Sequence, residues 1–492
     1  MTGRVQRWAG ILAVLLILNT AYLAAFASPT IFYMTNVPLH IALGILLVPL
    51  VAYLWQKRTP ARNRWSAALF FYLGAAALGI YLLERNTADH RSFLWAHVAA
   101  GALALAAFLP VLLRRGGAQP RGWKSFASAY VAALLILLLL PLGSALYRIT
   151  MPDVRARIAN SPDVPVSMEE EGGGPESPFF PSSARTNVGG TIPSDFFMDS
   201  ERCGECHKDI YDQWNGSAHH FASFNNQFYR KSVEYMQDVV GTRPSRWCAG
   251  CHDHAVFFNG RFDTPIREQV DTPEARAGLA CTSCHAITQV HSSVGNADFT
   301  ISYPPLHRLA SSRNPVVRRL DRFLTFTDPE PHRRTFMKPF MRGAQSPEFC
   351  STCHKVHLDA PVNAYRWLRG FNEYDNWQAS GVSGQGARSF YYPSQPSTCI
   401  DCHMPLVDSQ DPGNHNGKVH SHRFPGANTA LPFVNRDEDQ MKAVMEFLQS
   451  GFVSVDIFAV SPVEDSPGQT AIIRRSGAAP QIMSTFAVGE EA

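Results

Sequence analysis

The sequence has no cysteine before residue 203 and none after 402, and none of the ten between those limits is left unpaired in the motif pattern, which excludes a disulfide framework. Charge of one sign is also lacking. Lys and Arg number 44 against 41 Asp and Glu, for a net charge of +3 with no run of like charge. That excludes a nucleic-acid surface and a polybasic tail. The first 150 or so residues carry few charges of either sign, whereas the remainder reads as soluble protein. With 492 residues the chain is too long for one ordinary domain, and its two regimes have to be read separately.

Apolar runs cover about Trp8–Ala27, Val37–Trp55, Ser66–Leu83, Ser92–Leu113 and Phe126–Tyr147. Each is close to the ~20 residues a helix needs to cross the hydrocarbon core, so five transmembrane helices are expected over residues 1–148. Basic residues mark alternate loops: Arg4 and Arg7 before the first run, Lys57 to Arg64 after the second, Arg114 to Lys124 after the fourth. This bias places the N-terminus in the cytoplasm and everything after Tyr147 outside, in the periplasm of a bacterial inner membrane. The first run also resembles a signal peptide with Ala25-Phe26-Ala27 as a cleavage site, but its apolar stretch is longer than usual and a retained helix is favoured.

Two short segments in this region are near copies, His40-Ile-Ala-Leu-Gly44 and His97-Val-Ala-Ala-Gly101, each near the outer end of a span. Ionisable groups within a bilayer are costly and usually functional, and neutral imidazole is a good iron ligand. A glycine one turn further along the same face would let a flat porphyrin approach the backbone. The expectation is one b haem between His40 and His97. The bland alternative is two histidines that each bond a neighbouring helix.

The ten cysteines form five C-x-x-C-H motifs: Cys203/Cys206/His207, Cys248/Cys251/His252, Cys281/Cys284/His285, Cys350/Cys353/His354 and Cys399/Cys402/His403. Two residues between the thiols let both reach one porphyrin, and the next histidine falls beneath the iron as proximal ligand. Zinc gives no reason for a histidine after every pair, and five pairs do not divide into Cys₄ sites. Five covalently attached c haems are therefore expected.

After the first motif, Tyr211-Asp212-x-Trp214-x-x-Ser217-x-His219 resembles the multihaem cytochromes that include hydroxylamine oxidoreductase, pentahaem nitrite reductase and the tetrahaem partner of the former. The resemblance covers about residues 201–431 and implies that His219 is a distal ligand to a different haem. It likewise implies that His422, in the His420-Ser421-His422-Arg423-Phe424 that trails the last motif, is another distal ligand. By position alone, His291, His307, His332 and His357 are further distal candidates. A second copy of the element, Tyr374-Asp375-Asn376-Trp377 with Ser380, carries Val382 where the histidine should stand: either the repeat is structural and one iron takes its ligand elsewhere or keeps an open site, or it is a coincidental aromatic turn packed on a porphyrin.

The expected architecture is a five-span helical bundle, a Pro/Gly/Ser-rich linker over 149–200, a mainly α and irregular pentahaem cytochrome c domain over 201–431, and a tail over 432–492. In that tail Asp437–Gln449 reads as a helix, and Phe452–Val460 and Thr470–Arg474 as strands. The pattern suits electron transfer from quinol in the membrane, through a b haem and five c haems, to a periplasmic redox protein. The alternative is a reductase or oxidase of a small nitrogen or sulfur compound at a five-coordinate haem. Against nitrite reduction, no motif ends in lysine. A gas sensor would need neither five haems nor this architecture. Oligomeric state is unreadable.

Overall fold

A computed structural model describes residues 2–57, 62–112, 123–304, 306–364, 366–386 and 394–451. Five helices open the chain: α1 (Thr2–Ala25), α2 (Ile31–Lys57), α3 (Arg62–Leu82), α4 (Arg91–Leu112) and α5 (Trp123–Thr150). Four of them, α1, α2, α4 and α5, are long and apolar enough to cross a membrane. In α3 the apolar stretch is the shorter Ser66–Leu82, because the helix begins on Arg62-Asn63-Arg64. At 1.5 Å per residue that stretch spans roughly 25 Å, somewhat under the ~30 Å hydrocarbon core.

α1 packs on α2 and α5, α2 also on α3, and α3 on α4. Polar side chains pin these contacts: Asn19 Nδ2 donates to Asn36 Oδ1 (2.8 Å), and Ser144 Oγ and Arg148 donate to the Ala25 carbonyl at 2.7 and 2.9 Å. Pro38, Pro49, Pro110 and Pro141 all lie inside helices. Neighbouring helices make this tolerable in a membrane bundle.

The chain divides into two compact units, residues 1–424 and 425–492. Beyond the bundle, the first unit has a core rich in phenylalanine, including Phe179, Phe196, Phe197, Phe257, Phe258, Phe262, Phe299 and Phe340. That core changes the role of the expected linker. Ile158, Phe179, Ala184, Ile192, Phe196 and Phe197 are all buried in that core, so the segment packs as part of the domain. Its scattered apolar residues have no period because the segment is mostly turns, which hid their burial from the sequence.

Strand β1 (Arg185–Thr186) from this segment runs parallel to β3 (Phe299–Ile301), which pairs antiparallel with β2 (Ile287–Val290). Two hairpins follow, β4 (Lys355–Leu358) with β5 (Leu368–Asn372) and β6 (Leu406–Asp408) with β7 (Lys418–His420). The helices that matter below are α6 (Lys208–Asn215), α7 (Gln227–Val240), α8 (Pro315–Thr327), α9 (Glu330–Phe336) and α10 (Glu373–Ala379). α7 is capped by Asn226, whose side chain accepts from the Phe228 and Tyr229 N–H groups. In the second unit, a helix over Glu438–Leu448 falls where one was expected, with Asp437 accepting from the Gln440 N–H (2.8 Å). The strands expected at 452–460 and 470–474 lie outside the described residues.

Candidate haem sites

Each motif ends a short helix or lies in the turn that follows one. In the first and fourth, the histidine N–H donates to the carbonyl of the first cysteine, His207 to Cys203 at 2.8 Å and His354 to Cys350 at 2.9 Å. One helical turn thus brings both thiols to one side with the imidazole next to them. None of the ten cysteines forms a disulfide. Burial pushes Cys248 and Cys284 up to about 12.

The fold then brings histidines distant in sequence face to face. The ring of His207 lies 6.2 Å from that of His332, His354 lies 6.2 Å from His219, and His285 lies 6.1 Å from His422. In the membrane bundle His40 and His97 are 6.3 Å apart. A metal–nitrogen bond of about 2 Å plus about 1 Å from nitrogen to ring centre, counted on both sides, gives roughly 6 Å. All four pairs therefore fit one iron held between two imidazoles.

The other nitrogen of these rings is generally anchored. Nδ1–H donates to Asp411 from His207 (2.9 Å), to the Phe336 carbonyl from His285 (2.8 Å), to the His420 carbonyl from His422 (2.9 Å) and to the Ala75 carbonyl from His97 (2.8 Å). His40 Nδ1 lies 3.3 Å from Thr20 Oγ1, whose own hydrogen goes to Leu16 O. Such anchoring fixes the tautomer and leaves Nε2 for a metal. Space supports the same fit in the bundle: a Cβ added at Gly44 or Gly101 would meet nothing within 4 Å.

His219 has its Nδ1 buried and without a hydrogen-bond partner. Burial, followed by the neighbouring His354, His422, His252 and His403, pushes its pKa down to about 3, so it stays a neutral ligand-ready imidazole. Burial likewise takes His332 and His422 down to about 4. His207 behaves differently: burial lowers it, but the Asp411 carboxylate outweighs burial and the net shift is upward.

Thiols of different motifs also meet. Cys203 lies within hydrogen-bonding reach of Cys281, Cys251 of Cys353, and Cys350 of Cys399. The first site is thus next to the third, and the fourth is next to both the second and the fifth.

The two copies of the aromatic element occupy equivalent positions. In α6, Trp214 Nε1 donates to Leu279 O (2.8 Å), two residues before Cys281. In α10, Trp377 Nε1 donates to Ser397 O (2.8 Å), two residues before Cys399. The tyrosine of each copy packs on its tryptophan, at 5.5 and 5.9 Å. The first copy leads to His219 facing the fourth motif, while Val382 at the matching position is half exposed.

Two position-based candidates are hydrogen-bonded elsewhere, and a third packs in the core with its Nε2 unbonded. His291 Nε2 lies 2.9 Å from Thr300 Oγ1, a partner across the β2–β3 hairpin. His357 Nε2 donates to Glu171 (2.6 Å), and its ring stacks on Trp367. His307 packs edge-on against Phe196 at 4.7 Å, beside Tyr303. None of these three rings faces a motif histidine, because local strand and core contacts hold them.

His252 donates Nδ1–H to Ala222 O (2.7 Å) and stacks on Tyr229 at 4.2 Å, and among the described residues no histidine ring faces it at the separation of the pairs. Tyr229 and Ser223 both donate to the buried Asp253, whose carboxyl burial raises to about 7. Sequence reading missed Asp411, Tyr229 and Asp253. Asp411 is 204 residues from the histidine it holds, and no local pattern connects them.

Residues 202–286, which hold the first three motifs, match the model of the family described as cytochrome c554 and c-prime. Over that stretch the chain is similar to c-type cytochromes, in which haem is covalently bound and serves electron transfer. No curated protein and no solved structure matches the chain.

Proposed function

We propose that the protein is a membrane-anchored multihaem cytochrome that takes electrons from quinol and delivers them to a periplasmic acceptor, with one b haem between His40 and His97 and five c haems on the C-x-x-C-H motifs. The observation that carries this reading is the set of four histidine pairs at 6.1–6.3 Å, one in the bundle and three in the soluble part. Bound iron porphyrins would supply reversible one-electron chemistry, with potentials set by ligands and burial.

The chain's own residues hold, orient and insulate. Thiols of each motif fix one porphyrin edge, paired imidazoles close both faces at the first, third and fourth, and the phenylalanine core excludes water. Thiol contacts support an arrangement in which the first site adjoins the third and the fourth adjoins the second and fifth. Mass spectrometry of the mature chain should show five added haems, and a pyridine haemochrome spectrum one b haem beside them. A mature chain without that added mass refutes the reading.

One observation favours a second reading, reduction or oxidation of a small nitrogen or sulfur compound. The described residues bring His252 only one imidazole, its own, against Tyr229. Low-temperature EPR separates the two. Purely low-spin signals remove the enzyme, and a high-spin signal that shifts with nitrite, hydroxylamine or cyanide supports it.

A further inference from the structure

Five motif sites are candidates for the one next to the membrane bundle, and the hydrogen bonds between bundle and haem domain converge on one of them. Two segments of the haem domain are bonded to the ends of the membrane helices. The first is the turn between α8 and α9. There Tyr33 Oη donates to Asp328 Oδ2 (2.6 Å), Asn86 N–H to Phe326 O (3.1 Å) and Asn86 Nδ2 to Thr327 O (3.1 Å). The other oxygen of Asp328 accepts from the Glu330 N–H (3.3 Å) at the start of α9, two residues before His332. Packing continues inward from this turn. Phe323 and Leu324 of α8 cluster with Tyr33 and Val37 of α2, and Val37 stands three residues before His40.

The second segment is the loop Asp411–Asn414. Ala88 N–H donates to Pro412 O (3.4 Å) and Asn414 Nδ2 to Asp89 Oδ1 (3.1 Å), while Asp411 accepts from His207 Nδ1 (2.9 Å). One clasp therefore holds the segment carrying His332 and the other holds the carboxylate behind His207. These are the two halves of a single imidazole pair.

We infer that the site of His207 and His332 is the port through which the membrane bundle feeds the haem domain, and that Asp328 and Asp411 are positioning residues that hold its two imidazoles against the bundle. The inference rests on the proposed electron-transfer function. A carboxylate behind one imidazole makes that ligand more electron-donating, which favours the oxidised iron at this site. From the port, contact of Cys203 with Cys281 continues to the third motif.

Two variants of the full-length, membrane-purified protein test this. In Asp411→Asn, haem mass stays unchanged and mediator-linked potentiometry shows one c haem with a raised midpoint and an altered low-spin EPR signal, restored by Asp411→Glu. In the double variant Tyr33→Phe/Asp89→Ala, haem content also stays unchanged, but stopped-flow transfer from quinol to the c haems slows at least about tenfold, as small misplacements do. Unmoved midpoints in the first variant, or wild-type transfer in the second, overturn the inference. A wild-type protein that accepts no electrons from quinol refutes the proposed function instead, and the mediator titration still decides whether Asp411 acts on a single haem.

Discussion

The membrane bundle and the haem domain reach the same separation between paired imidazoles by opposite means. In the bundle, His40 and His97 stand on two long regular helices, with an open glycine one turn beyond each. In the haem domain, no pair comes from two long helices. His207 meets His332, His219 meets His354 and His285 meets His422 across more than a hundred residues of turns and short helices. In the bundle the two helices set the positions of the rings, and the Ala75 carbonyl and Thr20 Oγ1 fix their orientation. In the haem domain three rings are fixed by Asp411 and by the Phe336 and His420 carbonyls, and His219 is held with its Nδ1 buried and unbonded.

The sharpest way to break this comparison is to remove the ring whose Nδ1 has no anchor. His219→Ala takes away the imidazole opposite His354, at the site that adjoins two others, and should convert one c haem to high spin in EPR with all five still attached. An unchanged low-spin spectrum would show that His219 serves packing alone. His40→Ala or His97→Ala should next abolish the b-type contribution to the haemochrome spectrum and leave the c-type contribution whole, because the two regions assemble their pairs independently.

A milder change, Gly101→Leu, adds a side chain where the bundle keeps open space and should lower b-haem content without unfolding the helix, as measured by the same spectrum against circular dichroism. The smallest effects belong to the repeated aromatic element. Trp214→Phe and Trp377→Phe each remove one indole hydrogen bond and should each lower stability by about 1 kcal/mol in denaturant titration. Unequal losses would show that the two copies do not play matching structural roles.

Legibility followed the range of the interaction. The five motifs are local, so spacing alone exposed them, and helix periodicity with hydropathy exposed the membrane region, including the shared H-x-x-x-G. The pairing of rings is tertiary and no local pattern encodes it. His332 was indistinguishable in sequence from His291, His307 and His357, yet only His332 faces a motif histidine, while the others are tied to Thr300, to the Phe196 cluster and to Glu171. The residues around 152–200 read as a tether because turn-rich segments bury apolar side chains without any period. Only the folded chain shows Phe196 and Phe197 in the core.

The position of His422 has a consequence for how the protein matures. It follows the last motif yet faces His285 of the third, so that pair cannot close until the polypeptide has been delivered through residue 422. Attachment of porphyrin to thiols needs only local sequence and can proceed motif by motif, but the facing of His285 and His422 waits for the distal end of the domain. A chain truncated just after His403 would carry every attachment point and still leave its third site unfinished.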